Sequence, residues 1–308
     1  MPERLLLTGA SGFVGRALIG PLAIRGFELH CVTRGTIPPH PGPVRWHSAN
    51  LLKAGAARAL LRELRPAVLV HAAWHVVHGK FWSAPENEAW VDASEALAQD
   101  FAGAGGRRIL GIGTCAEYAD AAGDDAMPWP ESRPLAPVTS YGRAKTDLHA
   151  RLARLAETCG LSLAWARLFH LFGEGEHPDR LVASASHALA TGREVRCASG
   201  RPVRDFASTR YIGEALAALA ASGVTGAVNV ASGEGRAVAE VVRLLGEAAG
   251  RPDLVRLGTL PDRLGVVPYM VADVTRLRQE VGFRTPPRVT DDLRALLAQV
   301  SHHLRHTI

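Results

Sequence analysis

Lysine is nearly missing from this chain: among 35 Lys and Arg residues it occurs only at Lys53, Lys80 and Lys145. Cysteine is also sparse. Cys31, Cys115, Cys159 and Cys197 are scattered and form no Cys-x-x-Cys pair, which excludes a disulfide framework and a cysteine zinc site and leaves reduced thiols as the expectation. No run approaches the roughly 18 apolar residues of a membrane span. The Leu5-Leu6-Leu7 stretch breaks at Gly9 and is too short for a signal peptide, so a cytoplasmic protein without a membrane partner is expected. Blocks of basic charge are absent as well. The formal net charge of +5 is dispersed, which speaks against nucleic acid as a partner and suits anionic small molecules. His71, His75 and His78 lie close together but bring no acidic or cysteine ligand with them, and no metal is expected.

What is present is ample apolar material, 47% of 308 residues, arranged in short apolar runs alternating with helical patterns. Strands are expected near residues 4–8, 28–33, 44–47, 67–71, 107–113 and 161–168, with helices near 12–25, 53–64, 85–103 and 139–158 between them. That alternation reads as an α/β fold, a doubly wound parallel Rossmann sheet. Residues 36–43 and 122–137 read as loops. After about residue 170 the alternation loosens, and a smaller α/β substrate lobe is expected over 171–208 and 233–308, on the C-terminal side of a nucleotide-binding domain over 1–170. Residues 209–232 are expected to return to the main sheet.

The first strand runs into Thr8-Gly9-Ala10-Ser11-Gly12-Phe13-Val14-Gly15 and then a helix. Glycines there allow a tight turn and close approach of the backbone to a pyrophosphate held at a helix N-terminus. About twenty residues on, an NAD site places an acidic residue against the ribose 2′-hydroxyl. Here the chain has Thr33 and Arg34, and a guanidinium suits a 2′-phosphate; NADPH is therefore expected over NADH. The stretch Ser140-Tyr141-Gly142-Arg143-Ala144-Lys145 sets Tyr141 and Lys145 on one helix face, with Leu148, Leu152 and Leu155. With four tyrosines and so few lysines, a Tyr-x-x-x-Lys pair arises by chance with a probability of about 4%. A nearby ammonium lowers a phenol's pKa and lets it pass a proton to a sugar oxygen. Thr114 ends the strand at 107–113 and is the expected third member, its alternative being a plain N-cap or turn threonine.

Taken together, the glycine pattern, His71-Ala72-Ala73, Thr114-Cys115-Ala116-Glu117-Tyr118 and Tyr141-x-x-x-Lys145 resemble the extended short-chain dehydrogenases that act on nucleotide sugars. Arg167-x-Phe169-His170-x-Phe172-Gly173, Arg204-Asp205-Phe206 and Asn229-Val230-Ala231-Ser232-Gly233 extend the likeness over nearly the whole chain. The resemblance implies catalysis by Thr114, Tyr141 and Lys145. It implies cofactor contacts from Gly9, Ser11, Gly12, Phe13, Val14, Gly15, Arg34, Ala72, Ala73, Trp74, Tyr141, Lys145 and Leu168. Asn50 and Leu51 match an acidic-Leu pair along the adenine, with Asn in place of Asp. Arg204 is implied to face the substrate diphosphate, and His170 stands where the family usually has Asn. His75 and Cys115 complete the expected substrate contacts, Cys115 either reacting or simply packing under the sugar. A homodimer is implied through the helices at 85–103 and 139–158.

Dehydratases of this family resemble Thr-Asp-Glu or Thr-Ser-Glu at the Thr114 segment, whereas Ala116 exchanges no protons. Among the remaining reactions, the expected NADPH favours net reduction, in the character of the nucleotide-linked 4-keto-6-deoxysugar 4-reductases. The alternatives are an epimerase with tightly held NAD and a non-catalytic, NADPH-sensing regulatory protein.

Overall fold

A computed structural model describes residues 2–37, 44–120 and 126–306, with side chains to residue 304. The expected loops at 36–43 and 122–137 therefore fall partly outside the described residues, at 38–43 and 122–125. In chain order the first part runs β1 (Arg4–Thr8), α1 (Gly15–Ile24), β2 (Glu28–Thr33), β3 (Val44–Ser48), α2 (Arg58–Leu64), β4 (Val68–His71), α3 (Glu86–Gly103), β5 (Arg108–Thr114), α4 (Ser140–Cys159) and β6 (Ser162–Leu168). Then follow β7 (His170–Phe172), α5 (Leu181–Ala190), β8 (Val195–Arg196), β9 (Val203–Ser208), α6 (Thr209–Ala221) and β10 (Gly226–Val230). The described chain closes with β11 (Gly235–Ala237), α7 (Val238–Ala248), β12 (Val255–Arg256), β13 (Tyr269–Met270), α8 (Thr275–Gln279) and α9 (Val289–His306).

Seven parallel strands form the main sheet in the order β10-β6-β5-β4-β1-β2-β3. Leu5 to Leu7, Leu69, Val70 and Ile109 to Ile112 are buried, as befits strands covered on both faces. One apolar cluster unites the sheet with α1, α6 and α8; another unites it with α2, α3 and α4. The strand order reverses between β1 and β4, so a crevice opens beyond their carboxyl ends, where such sheets bind ligands. A smaller sheet of β7, β9, β11 and β13, with α5, α7 and α9 around it, encloses a third cluster.

Two helices start later than their patterns suggest. Residues 9–14 stay in a turn, with Gly9 at φ 68° and its carbonyl accepting the Gly12 amide at 2.9 Å, so α1 begins at Gly15. Residues 53–57 are likewise turned, by Gly55 at φ 70° and by the Asn50 side chain accepting the Leu52 amide. The left-handed backbone at each glycine is incompatible with a helical turn.

Candidate active site

The crevice is lined first by the turn after β1. A Cβ on Gly9 would come within 2.6 Å of the Ala73 amide nitrogen, and one on Gly15 within 2.1 Å of the Gly9 carbonyl oxygen. Only glycine fits at either place. No side chain caps the start of α1; the Arg16 and Ala17 amides bond the Gly12 and Val14 carbonyls of the turn, which leaves the helix N-terminus facing the crevice without a side chain over it. This bare, closely pressed backbone fits a dinucleotide pyrophosphate. Below it, His71 bridges β1 and α3: its Nδ1 bonds Thr8 Oγ1 and its Nε2 bonds Ser94 Oγ, both at 2.8 Å. Burial, with the Lys145 charge adding to it, pushes this imidazole down to about 3. Phe13, Val14 and Ala72 pack half-buried on the core, and Leu168 pairs with Thr114 at the ends of β6 and β5.

At the end of β2, Ser11 Oγ and Thr33 Oγ1 share a hydrogen bond of 2.9 Å, and Arg34 is exposed beside them. No carboxylate follows over residues 33–37. Asn50 spends its side-chain oxygen on its own turn, while Leu51 packs half-buried against the cluster under α2 and α3.

Thr114 ends β5 and caps a single 3-10 turn, Cys115–Glu117, accepting the Ala116 amide at 3.2 Å. The capping alternative is therefore real, and it serves to aim the residue. α4 docks on that same turn. A Cβ on Gly142 would meet the Ala116 carbonyl oxygen at 2.4 Å, so the glycine lets the first turn of α4 press Tyr141 towards Thr114. The Thr114 hydroxyl reaches the Tyr141 phenol and favours its ionisation. Burial outweighs that contact and, with Glu117 and Cys115 adding to it, pushes the phenol up. Lys145, 4% exposed, does not point at the phenol: Nζ donates to the Ile112 carbonyl at 2.8 Å and stands 3.7 Å from the Trp74 ring centroid but 6.0 Å from that of Tyr141. Burial pushes this ammonium down to about 7, Glu117 pulling the other way. The expected lowering of the phenol by the lysine is thus absent, because one carbonyl and one indole hold the ammonium elsewhere.

Around these groups the loop after β4 forms an aromatic wall. Phe81 and Trp82 set their rings edge-on to Tyr141, with centroids 5.0 and 5.7 Å away, and Trp74 does so at 6.4 Å. His75 is half-buried in the same loop and forms no bond with Thr114, Tyr141 or Lys145. His78 stacks on His177, which belongs to the segment between β7 and α5.

On the substrate side, His170 opens β7 with its Nδ1 buried and unpartnered. Burial, followed by the Arg204 and Arg180 charges, pushes it down to about 3, so it is a neutral donor or acceptor. Arg204, on β9, is 9% exposed and bonds only its neighbour's carbonyl through Nη1, leaving other donors available. Burial pushes the Cys115 thiol up to about 12, which removes it as a nucleophile and favours packing.

Glu117 has a role that sequence reasoning missed. Fully buried, it accepts the Thr114 amide at 2.8 Å, the Trp165 indole N–H at 3.0 Å and Arg167 Nε at 2.8 Å. Arg167 Nη1 continues to the Tyr118 hydroxyl, which donates to Asn229 Oδ1 at 2.6 Å. A signal existed in Gly111-x-Gly113: Cβ atoms there would strike the Trp165 ring and Glu117 Oε1, so the glycines announce a large partner from the next strand. A groove of about 1250 Å³ between α1, α6 and α9 holds none of these side chains. Among the described residues no group of His, Cys, Asp and Glu is arranged for a metal ion, and no helix is long and apolar enough to cross a membrane.

A glycine cradle at the switch point, with a Thr, Tyr and Lys set at the end of β5, is the arrangement of an NAD(P)-dependent enzyme of the extended short-chain dehydrogenase/reductase type. The chain belongs to the NAD dependent epimerase/dehydratase family, which matches residues 5–231. It is 29% identical over 301 residues to a dTDP-6-deoxy-L-talose 4-dehydrogenase (NAD(P)(+)) of Kitasatospora kifunensis, covering 93% of this chain and 92% of that protein. A dTDP-4-dehydro-6-deoxy-D-allose reductase of Streptomyces bikiniensis is 25% identical, with 98% and 96% covered. The fold matches a UDP-glucose 4-epimerase of Thermotoga maritima with a TM-score of 0.86 at 20% identity, covering 98% of this chain and 100% of that one.

Proposed function

We propose that the protein modifies a nucleotide-linked sugar and that its reaction is the NADPH-dependent reduction of the C4 keto group of a 4-keto-6-deoxy sugar. The observation that carries the reading is the end of β2, where two hydroxyls and the exposed Arg34 stand in place of the carboxylate that a 2′-hydroxyl needs. A net reductase releases its oxidised cofactor after each turnover and draws on the NADPH pool. The two relatives named as a 4-dehydrogenase and a reductase of 6-deoxy sugars favour the same class.

Gly9, Gly12 and Gly15 would hold the pyrophosphate, Ser11, Thr33 and Arg34 the 2′-phosphate, and Ala72, Ala73 and Trp74 would flank the cofactor. When bound, the reduced cofactor supplies the hydride. Tyr141 gives its phenolic proton to the C4 oxygen as that oxygen gains charge. Thr114 donates a hydrogen bond to the same oxygen, and Lys145 holds positive charge beside the pair, favouring the phenolate left behind. Arg204 and neutral His170 face the diphosphate. Ala116 leaves C5 and C6 without an acid or base, consistent with reduction and not dehydration. A homodimer through α3 and α4 belongs to the same reading and is checked by sedimentation.

The test is loss of NADPH absorbance with a panel of dTDP-, GDP- and UDP-linked 4-keto-6-deoxy sugars. Oxidation with at least one of them is expected, with NADPH preferred to NADH. Epimerisation of a 4-hydroxy sugar without added cofactor, and no oxidation across the panel, would replace the reading with the epimerase one.

A further inference from the structure

Lys145 is unlike Lys53 and Lys80, which are exposed. An ammonium carries three donors, and this buried one has a single oxygen partner, the Ile112 carbonyl. Its Nζ also lies 3.7 Å from the centroid of the Trp74 ring. The indole is itself pinned. Its Nε1 donates to Asn87 Oδ1 at 2.9 Å, and the fully buried Asn87 donates through Nδ2 to the Phe81 carbonyl at 2.8 Å. Trp90 also packs beside it, with ring centroids 6.0 Å apart and the planes tilted by 32°. The polar tether points away from the lysine, so what the indole offers Lys145 is its negative π-face, whose attraction for a cation grows as water is excluded.

We propose that Trp74 is a positioning residue that acts through Lys145, its π-face keeping the buried ammonium charged and aimed at the pocket, with Asn87 locking the indole in that attitude. The inference rests on the reading of Lys145 as the working lysine. The titratable groups around that lysine leave a place for such a partner. Tyr141, one helical turn back, is neutral, and so is His71 on β4. Cys115 is a protonated thiol. Glu117 attracts the ammonium from under β5, yet its oxygens are already engaged by Arg167, Trp165 and the Thr114 amide. Burial works against the charge; beside the single Ile112 carbonyl, the Trp74 face at 3.7 Å is the nearer of the two aromatic faces that attract it, the Tyr141 centroid standing at 6.0 Å. In the proposed reaction, a lysine that loses its proton too early leaves the Tyr141 phenolate unsupported, so Trp74 sets how far into the alkaline range the site works.

With only three lysines, the chain labelled with ¹³C at lysine Cε gives three resonances, and Lys145→Arg identifies the one of interest. Ring-current shielding should move the Lys145 methylene protons upfield of those of Lys53 and Lys80, and Trp74→Leu should abolish that displacement. The same variant should lower the Lys145 titration midpoint by about one pH unit, a tenfold change in proton affinity. Trp74→Phe, which keeps a π-face, should restore at least half of it, and Asn87→Ser should give an intermediate midpoint. The alkaline fall of kcat/KM should move to lower pH by the same amount. A Trp74→Leu protein that melts earlier but keeps the wild-type Lys145 shift and midpoint would overturn the proposal, as would a midpoint that rises. The resonance needs no substrate, so a chain that reduces none of the sugars, yet shows the expected midpoints, defeats the reductase reading alone.

Discussion

Arg167 and Lys145 are both buried cations within reach of the end of β5, and their surroundings differ sharply. Arg167 lies beneath the strand end in a filled network, with Glu117 on Nε, the Tyr118 hydroxyl and Glu131 carbonyl on Nη1, and Tyr118 tied onward to Asn229. Lys145 lies on the crevice side with one carbonyl and an aromatic face, near a phenol that burial keeps protonated. Saturated polar groups make a floor that holds Thr114 still. Unsaturated ones make a pocket with hydrogen-bonding capacity in reserve for ligands.

The comparison breaks most severely where the floor loses its anion. Glu117→Leu leaves Arg167 buried without a counter-charge and is expected to cost about 3–5 kcal/mol in denaturant unfolding, while Glu117→Leu with Arg167→Met recovers much of it. Tyr141→Phe should do the opposite, lowering kcat by about 10²- to 10⁴-fold with the unfolding midpoint nearly unchanged. Lys145→Met sharpens the contrast through pH. The unfolded lysine keeps its proton to about 10.5 and the folded one releases it above about 7, so in that window the unfolded state binds more protons and stability rises with pH. Between about pH 7 and 9, below the range where buried thiols act the other way, wild type should gain up to about 1.4 kcal/mol per pH unit relative to Lys145→Met, read by melting in buffers of stepped pH. Arg34→Ala removes one charged contact to the 2′-phosphate and should raise KM for NADPH about tenfold, leaving that for NADH in place. Cys115→Ser should stay within about twofold of wild-type activity, as a packing thiol requires.

The strands of the main sheet were legible because each is a local run of buried residues. β1 and β2 match their expected bounds, and β4 to β6 begin one residue later than expected. The lobe was not legible for the converse reason: β8 and β12 have two residues each, and Val195 meets Val255 across sixty residues of chain, so no local pattern marks them. Spacing on α4 and the end of β5 was enough to bring Thr114 and Tyr141 together. It did not reveal the direction of Lys145, which depends on Trp74 from another loop. Nor did it reveal Glu117, whose partners Trp165 and Arg167 lie about fifty residues on.

The contact between α1 and α6 has a consequence for affinity. A Cβ on Gly213 would stand 2.1 Å from the Ala17 carbonyl oxygen, so the two helix backbones touch with no side chain between them. α1 therefore has no room to slide or tilt toward α6, and the glycine turn bonded onto its start is already in place when a dinucleotide arrives. The ordering entropy of that phosphate cradle is charged to folding, and binding is spared it.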